Sequence, residues 1–143
     1  MIRKERPLSW GRDRAEALPF ADESFAAAYA TWAYFFPEYH DISTGLAEIR
    51  RVTRAGGQIV VFDNAGGDEF TALGGEKIVA DSGVWERLGF EVSIIDTAFE
   101  CDSVDDARRL FRFYSGKRGR SVAHRQVTFR VACFVGRGTG MKG

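Results

Sequence analysis

The run QIVVFD, Gln58 to Asp63, constrains this chain more than any other stretch. It is almost continuously apolar and rich in β-branched residues, the pattern of a strand buried on both faces inside a parallel sheet. Just before it, Ile42, Leu46, Ile49 and Val52 recur at spacings of four, three and three, which is one stripe of an amphipathic helix. Asp41 or Ser43 is placed to cap that helix, and Gly56 and Gly57 to end it. Glu48, Arg50, Arg51 and Arg54 fall on its other faces, with the bases towards the end where the helix dipole favours them. Helix, two glycines and buried strand make half of a βαβ unit, so the fold class is α/β.

The flanking segments extend that unit. Ser24 to Thr31 follows the turn-forming ADES and is small, apolar and aromatic, which predicts a short strand buried on both faces, with an alanine-rich helix as the competing reading. Past Asn64 comes a glycine-rich loop with room for one helical turn, then a short helix over Ser82 to Leu88 ended by Gly89. A strand over Phe90 to Thr97 and a helix over Ser103 to Tyr114 follow, with Ser103 as its cap and Asp105 and Asp106 in its first turn. Val127 to Val135 alternates weakly, which suits a strand near a sheet edge.

With 143 residues and 45% hydrophobic content the chain suits one domain, with 1–12 as an N-terminal arm and 137–143 as a flexible tail. Twenty basic and twenty acidic residues give no overall pull towards nucleic acid. They are unevenly spread: Asp63 to Asp102 holds ten acids against two bases, and Ser103 to Gly143 ten bases against two acids. The two blocks are expected to meet within the fold; the competing reading is phosphate or RNA binding by the basic run GKRGR, Gly116 to Arg120. Cys101 and Cys133 form no CxxC pattern, so neither a metal site nor a disulfide framework is expected. The N-terminal MIRKERPLSW has no apolar core of a signal peptide, and the longest apolar run, Phe25 to Phe36, is too short to span a bilayer. A cytoplasmic protein is expected.

The pieces RAEALPFADESF, ATWAYFF and LAEIRRVTRAGGQIVVFD, in that order and spacing, resemble the class I S-adenosylmethionine-dependent methyltransferases of the type 11 group. WERLGFEVSIIDT and QVTFRVACFVG are similar to two later strands of the same family. The resemblance spans roughly Asp13 to Gly136 and implies a partial Rossmann-like sheet built from equivalents of the family's strands four, five, six and seven. Strands one to three and the glycine loop that cradles the cofactor have no counterpart ahead of Asp13.

It also implies S-adenosylmethionine as cofactor and a small-molecule methyl acceptor. Arg14 and Ala15 fall at the adenine-contacting position, where the family usually has an acidic residue followed by a small one. Thr31 and Trp32 fall where the family lines the cofactor after strand four. Ala26 stands in place of a common Asp, and Phe35 and Phe36 in place of a polar pair. Packing in the core is the alternative role for Trp32, Tyr34, Phe35 and Phe36. His40, in the Tyr39-His40 pair beyond that strand, is the candidate base.

FVGRGTG, Phe134 to Gly140, matches the glycine pattern literally but has too little chain behind it for the helix such a loop must open. Strand four would have an open apolar edge, across which two copies could pair about a twofold axis. Two functions therefore stand: a methyltransferase, or a catalytically inactive, truncated methyltransferase fold acting as a dimerising or binding module.

Overall fold

The computed structural model describes residues 14–34, 41–74 and 79–140 of the chain. The elements run β1 (Phe25–Thr31), α1 (Ser43–Val52), β2 (Thr53–Asn64), α2 (Glu69–Gly74), α3 (Ser82–Arg87), β3 (Glu91–Glu100), α4 (Val104–Ser115), a 3-10 turn (Gly116–Ser121) and β4 (Gln126–Arg137). They form one four-stranded sheet in the order β1-β2-β4-β3. β1 and β2 are parallel, joined by the α1 crossover, whereas β4 lies antiparallel to both β2 and β3. Among the described residues no helix is long and apolar enough to cross a membrane.

Strand register places Ile59 and Val61 of β2 and Ala132 and Phe134 of β4 on one face. There they pack with Leu46 and Ile49 of α1, Trp85 of α3 and Phe90. The helical stripe read from the sequence is thus the surface that α1 lays on the sheet. On the opposite face, a second core gathers Ala107 and Phe111 of α4, Val122 and Val127, with Phe70 and Phe99 against them. α4 starts as expected: the Ser103 hydroxyl accepts the Asp106 N–H at 3.1 Å and donates to the Asp106 carboxylate at 2.7 Å.

Several expectations are corrected. β1 is not buried on both faces: it is an edge strand, with Tyr29 77% and Phe25 38% exposed. β4 is not near an edge, because it inserts between β2 and β3. α1 stops at Val52, three residues before the first glycine, and Thr53 already begins β2. Gly56, at φ +74, lies in the irregular opening of that strand, where the register with β1 shifts between Phe25 and Ala27.

The last glycines are not a free tail either. Gly138 donates its N–H to Gly57 at 2.8 Å, and Gly140 donates to the Arg50 and Thr53 carbonyls.

The largest correction concerns α1. Glu48 and Arg51, which the sequence puts off the apolar stripe, are only 5% and 7% exposed. Arg51 donates from Nε and Nη2 to the two Glu48 carboxylate oxygens, both at 2.8 Å. Its Nη1 reaches the Phe20 carbonyl and the Asp22 carboxylate, and Nη2 also reaches the Leu18 carbonyl. Glu48 in turn accepts the Leu18 N–H at 2.9 Å. The EIRRV segment therefore clamps the LPFAD loop onto the sheet.

The acidic and basic blocks meet where Arg130 Nε donates to Asp96 at 2.9 Å across the β3–β4 ladder and its backbone N–H donates to the Asp68 carboxylate at 3.1 Å, and again where Glu69 accepts the Thr128 N–H at 2.8 Å. Cys101 and Cys133 are free and half-buried.

Candidate functional site

In open α/β sheets the ligand crevice lies beyond the carboxyl ends of the parallel strands. Here those ends are Thr31 and Asn64. The chain leaves β1 through Trp32, a non-glycine residue in the left-handed region at φ +48, a conformation that costs of order 1 kcal/mol or more and needs support from its surroundings. That support is visible: the Trp32 backbone N–H donates to the Phe62 carbonyl, and its indole N–H donates to Asn64 Oδ1, both at 2.9 Å. The indole also stacks on Phe129, with ring centroids 6.3 Å apart. Asn64 is fixed from behind, its carbonyl accepting the Ala80 N–H and its own N–H donating to the buried Asp63 carboxylate.

Beside this, on the α1 side, lies a cavity of about 380 Å3 lined by Ala15, Glu16, Ala33, Tyr34, Asp41, Ile42 and Gly45. Tyr34 forms an inner wall, its hydroxyl donating to the Gly45 carbonyl at 3.3 Å. Burial, reinforced by the negative charges of Glu16 and Glu48, pushes the Tyr34 phenol up to about 12. Asp41 is shifted the other way, its carboxyl held below the usual range by hydrogen bonds from the Ser43 hydroxyl and then the Ser43 N–H. The cavity thus presents two carboxylates, Glu16 and Asp41, a neutral phenol and small apolar side chains.

The raised Tyr34 value has a consequence for stability. The unfolded phenol ionises near its ordinary value of 10.0 and the folded one near 12, so the contribution is complete below pH 10 and is lost as pH rises towards 12. Ultraviolet-difference titration is expected to show one tyrosine ionising about two pH units after ordinary ones. In Tyr34→Phe that late step disappears and the alkaline fall in stability becomes shallower; a late step that persists would place it on another tyrosine.

The residues expected at the site are only partly brought together. Ala15 lines the cavity and packs against the main core. Arg14 points outward, its side chain 84% exposed and 3.7 Å from Glu16. Thr31 ends β1 opposite Phe62, and Trp32 belongs to the Asn64 and Phe129 contacts rather than to the cavity lining. His40, Phe35 and Phe36 lie outside the described residues. Asn64, Asp41 and Glu16 were not singled out from the sequence. Asn64 sits at the end of the one strand the sequence marks most clearly, which is the signal that could have found it.

Residues 2–61 match the family model described as a methyltransferase domain. Among solved structures, a candidate methyltransferase from Bacillus halodurans C-125 superposes with a TM-score of 0.58 at 14% identity, over 92% of this chain and 78% of that one. The YcgJ protein from Bacillus subtilis does so with a TM-score of 0.50 at 13% identity, over 90% of this chain and 70% of that one. The chain also covers 55% of the length of the [4+2]-cyclase SpnF, at 22% identity and a TM-score of 0.49. No curated protein matches it.

The sheet and its flanking helices are those of a partial Rossmann-like methyltransferase fold. Residues 2–61, less than half of the chain, carry the sequence signature of the methyltransferase-domain family.

That family implies S-adenosylmethionine, and the described residues fit one end of it. The cavity by Ala15 has the size and the small apolar lining to accept a flat adenine ring. The FVGRGTG glycines do not serve the other end. A Cβ on Gly136 would strike the Phe90 ring at 2.6 Å, and one on Gly138 would meet the Thr53 and Arg54 carbonyls at 2.6 Å. Those glycines are spent on internal packing.

Proposed function

We propose that this chain is an S-adenosylmethionine-dependent methyltransferase-like domain that supplies the adenine side of a cofactor site, with methyl transfer to a small-molecule acceptor once the remaining wall of that site faces it. The cofactor, when bound, supplies an activated methyl group on its sulfonium. The observation that carries the reading is the cavity between the Ala15 loop, Tyr34 and α1, placed beside the carboxyl ends of two parallel strands.

Calorimetric titration of the full chain with S-adenosylmethionine, its demethylated product and adenosine tests this. All three are expected to bind within a few-fold of one another, because the chain grips only their shared end, and Ala15→Trp is expected to abolish all three. Silence with every ligand at millimolar concentration would overturn the proposal.

A second reading, a binding module without catalysis, is favoured by Trp32. Its indole is already committed to Asn64 and Phe129 at the place where a ligand would approach the strand ends. Preference for S-adenosylmethionine over adenosine by tenfold or more would show a grip on the sulfonium end and count against that reading.

A further inference from the structure

Among the described residues the outer edge of β1 pairs with no other strand. Trp32 donates its backbone N–H to Phe62 on β2, and the Ala26 carbonyl lies where a Cβ on Gly57 would meet it at 2.5 Å. The even-numbered residues therefore spend their main-chain groups on β2, and Phe25, Ala27, Tyr29 and Thr31 turn theirs outward. Native edge strands are usually defended by charge, proline or a covering element. FAAAYAT has neither charge nor proline, and four of its seven residues are alanine, so another backbone can come close.

We propose that this edge pairs with the same edge of a second copy, antiparallel about a twofold axis through Ala28. This inference is independent of the cofactor reading. An isologous interface must be self-complementary, and this strand is. Reversed on itself about Ala28, it sets Phe25 opposite Thr31 and Tyr29 opposite Ala27, each bulky ring against a small partner. The same register joins outward residues to outward residues, so that four pairs exchange about eight main-chain hydrogen bonds.

Charge agrees with this arrangement. The acids Asp22 and Glu23 lie ahead of the strand, and Arg51 holds Asp22 at 2.8 Å. In the antiparallel pair these acids face the neutral segment beyond Thr31 of the other copy, and no like charges oppose one another.

A stable dimer needs roughly 800 Å2 from each partner, more than a seven-residue edge offers. The apolar groove of about 370 Å3 beside it, lined among others by Leu18, Phe20, Phe25, Tyr29 and Ile49, extends the surface around the strand. Association in the micromolar range is expected.

Sedimentation equilibrium of the full chain between about 1 and 100 µM is expected to show the mass rising to twice that of the chain. Tyr29→Lys alters a side chain that already faces solvent in the monomer. It is expected to weaken the dimer at least tenfold with an unchanged circular dichroism spectrum. Ala28→Cys is expected to form an interchain disulfide under mild oxidation, because facing non-hydrogen-bonded residues bring their Cα atoms to about 4.5 Å. A wild-type chain that stays monomeric at about 100 µM overturns the proposal. So does a dimer that Tyr29→Lys leaves intact and Ala28→Cys fails to cross-link.

Discussion

Arg51→Ala is expected to lower the midpoint of thermal unfolding on the order of 10 °C, with the 18–22 loop opening first. The guanidinium makes five hydrogen bonds, two to Glu48 and one each to Leu18, Phe20 and Asp22. Truncating it leaves the Glu48 carboxylate buried without its cation, and takes from the Phe20 carbonyl its Arg51 donor, while the Leu18 carbonyl keeps the Phe20 N–H. A second variant separates charge from packing. Glu48→Leu with Arg51→Met removes both charges together, and replacement of a buried pair by apolar residues is far milder than removal of one partner.

The double variant is therefore expected to recover more than half of the lost melting temperature. It should not recover all, because the Phe20 carbonyl and the Asp22 carboxylate still lack the donor that Arg51 gave them. Thermal circular dichroism of the three proteins decides it. A single variant melting like the wild type would mean that the loop is held by something other than this clamp.

This clamp marks where sequence reasoning stopped. The α1 stripe, the QIVVFD strand and the Ser103 cap were legible because they depend on neighbours a few residues away. Burial of Glu48 and Arg51 was not, since it depends on a loop some thirty residues earlier folding over them. Polar residues on the far side of a stripe normally point to water, and nothing local distinguishes the two that do not.

The position of β4 was hidden for a related reason. Alternation tells which faces a strand presents, but not which strands flank it. FVGRGTG shows the same limit from the other side: a glycine pattern states that backbone comes close to something, and here that something is Phe90 and the start of β2. The Ala15 cavity was partly foreseeable through the family motif. Its acidic wall at Asp41 and Glu16 was not, because those residues enter from two separate loops.

Trp85→Ala is expected to destabilise the domain by about 3–5 kcal/mol in urea unfolding. Trp85 is fully buried, stacked on Phe134 with centroids 4.6 Å apart and edge-on to Phe90 at 5.1 Å. It is the one buried residue of α3, a six-residue helix far too short to persist without tertiary packing. The loss should also be felt at the site, since the segment leading into α3 carries Ala80, whose N–H binds the Asn64 carbonyl behind Trp32. Trp32 fluorescence is accordingly expected to shift to the red in Trp85→Ala even below the unfolding transition.

Trp85→Phe separates the ring from its polar atom. Among the described residues the buried indole N–H of Trp85 has no hydrogen-bond partner, which costs about 1–3 kcal/mol, and phenylalanine removes that liability while keeping most of the stacking on Phe134. The Phe variant is expected to stay within about 1.5 kcal/mol of the wild type. A Phe variant as damaged as the Ala variant would show that the full indole shape, rather than aromatic contact in general, seats α3 on the sheet.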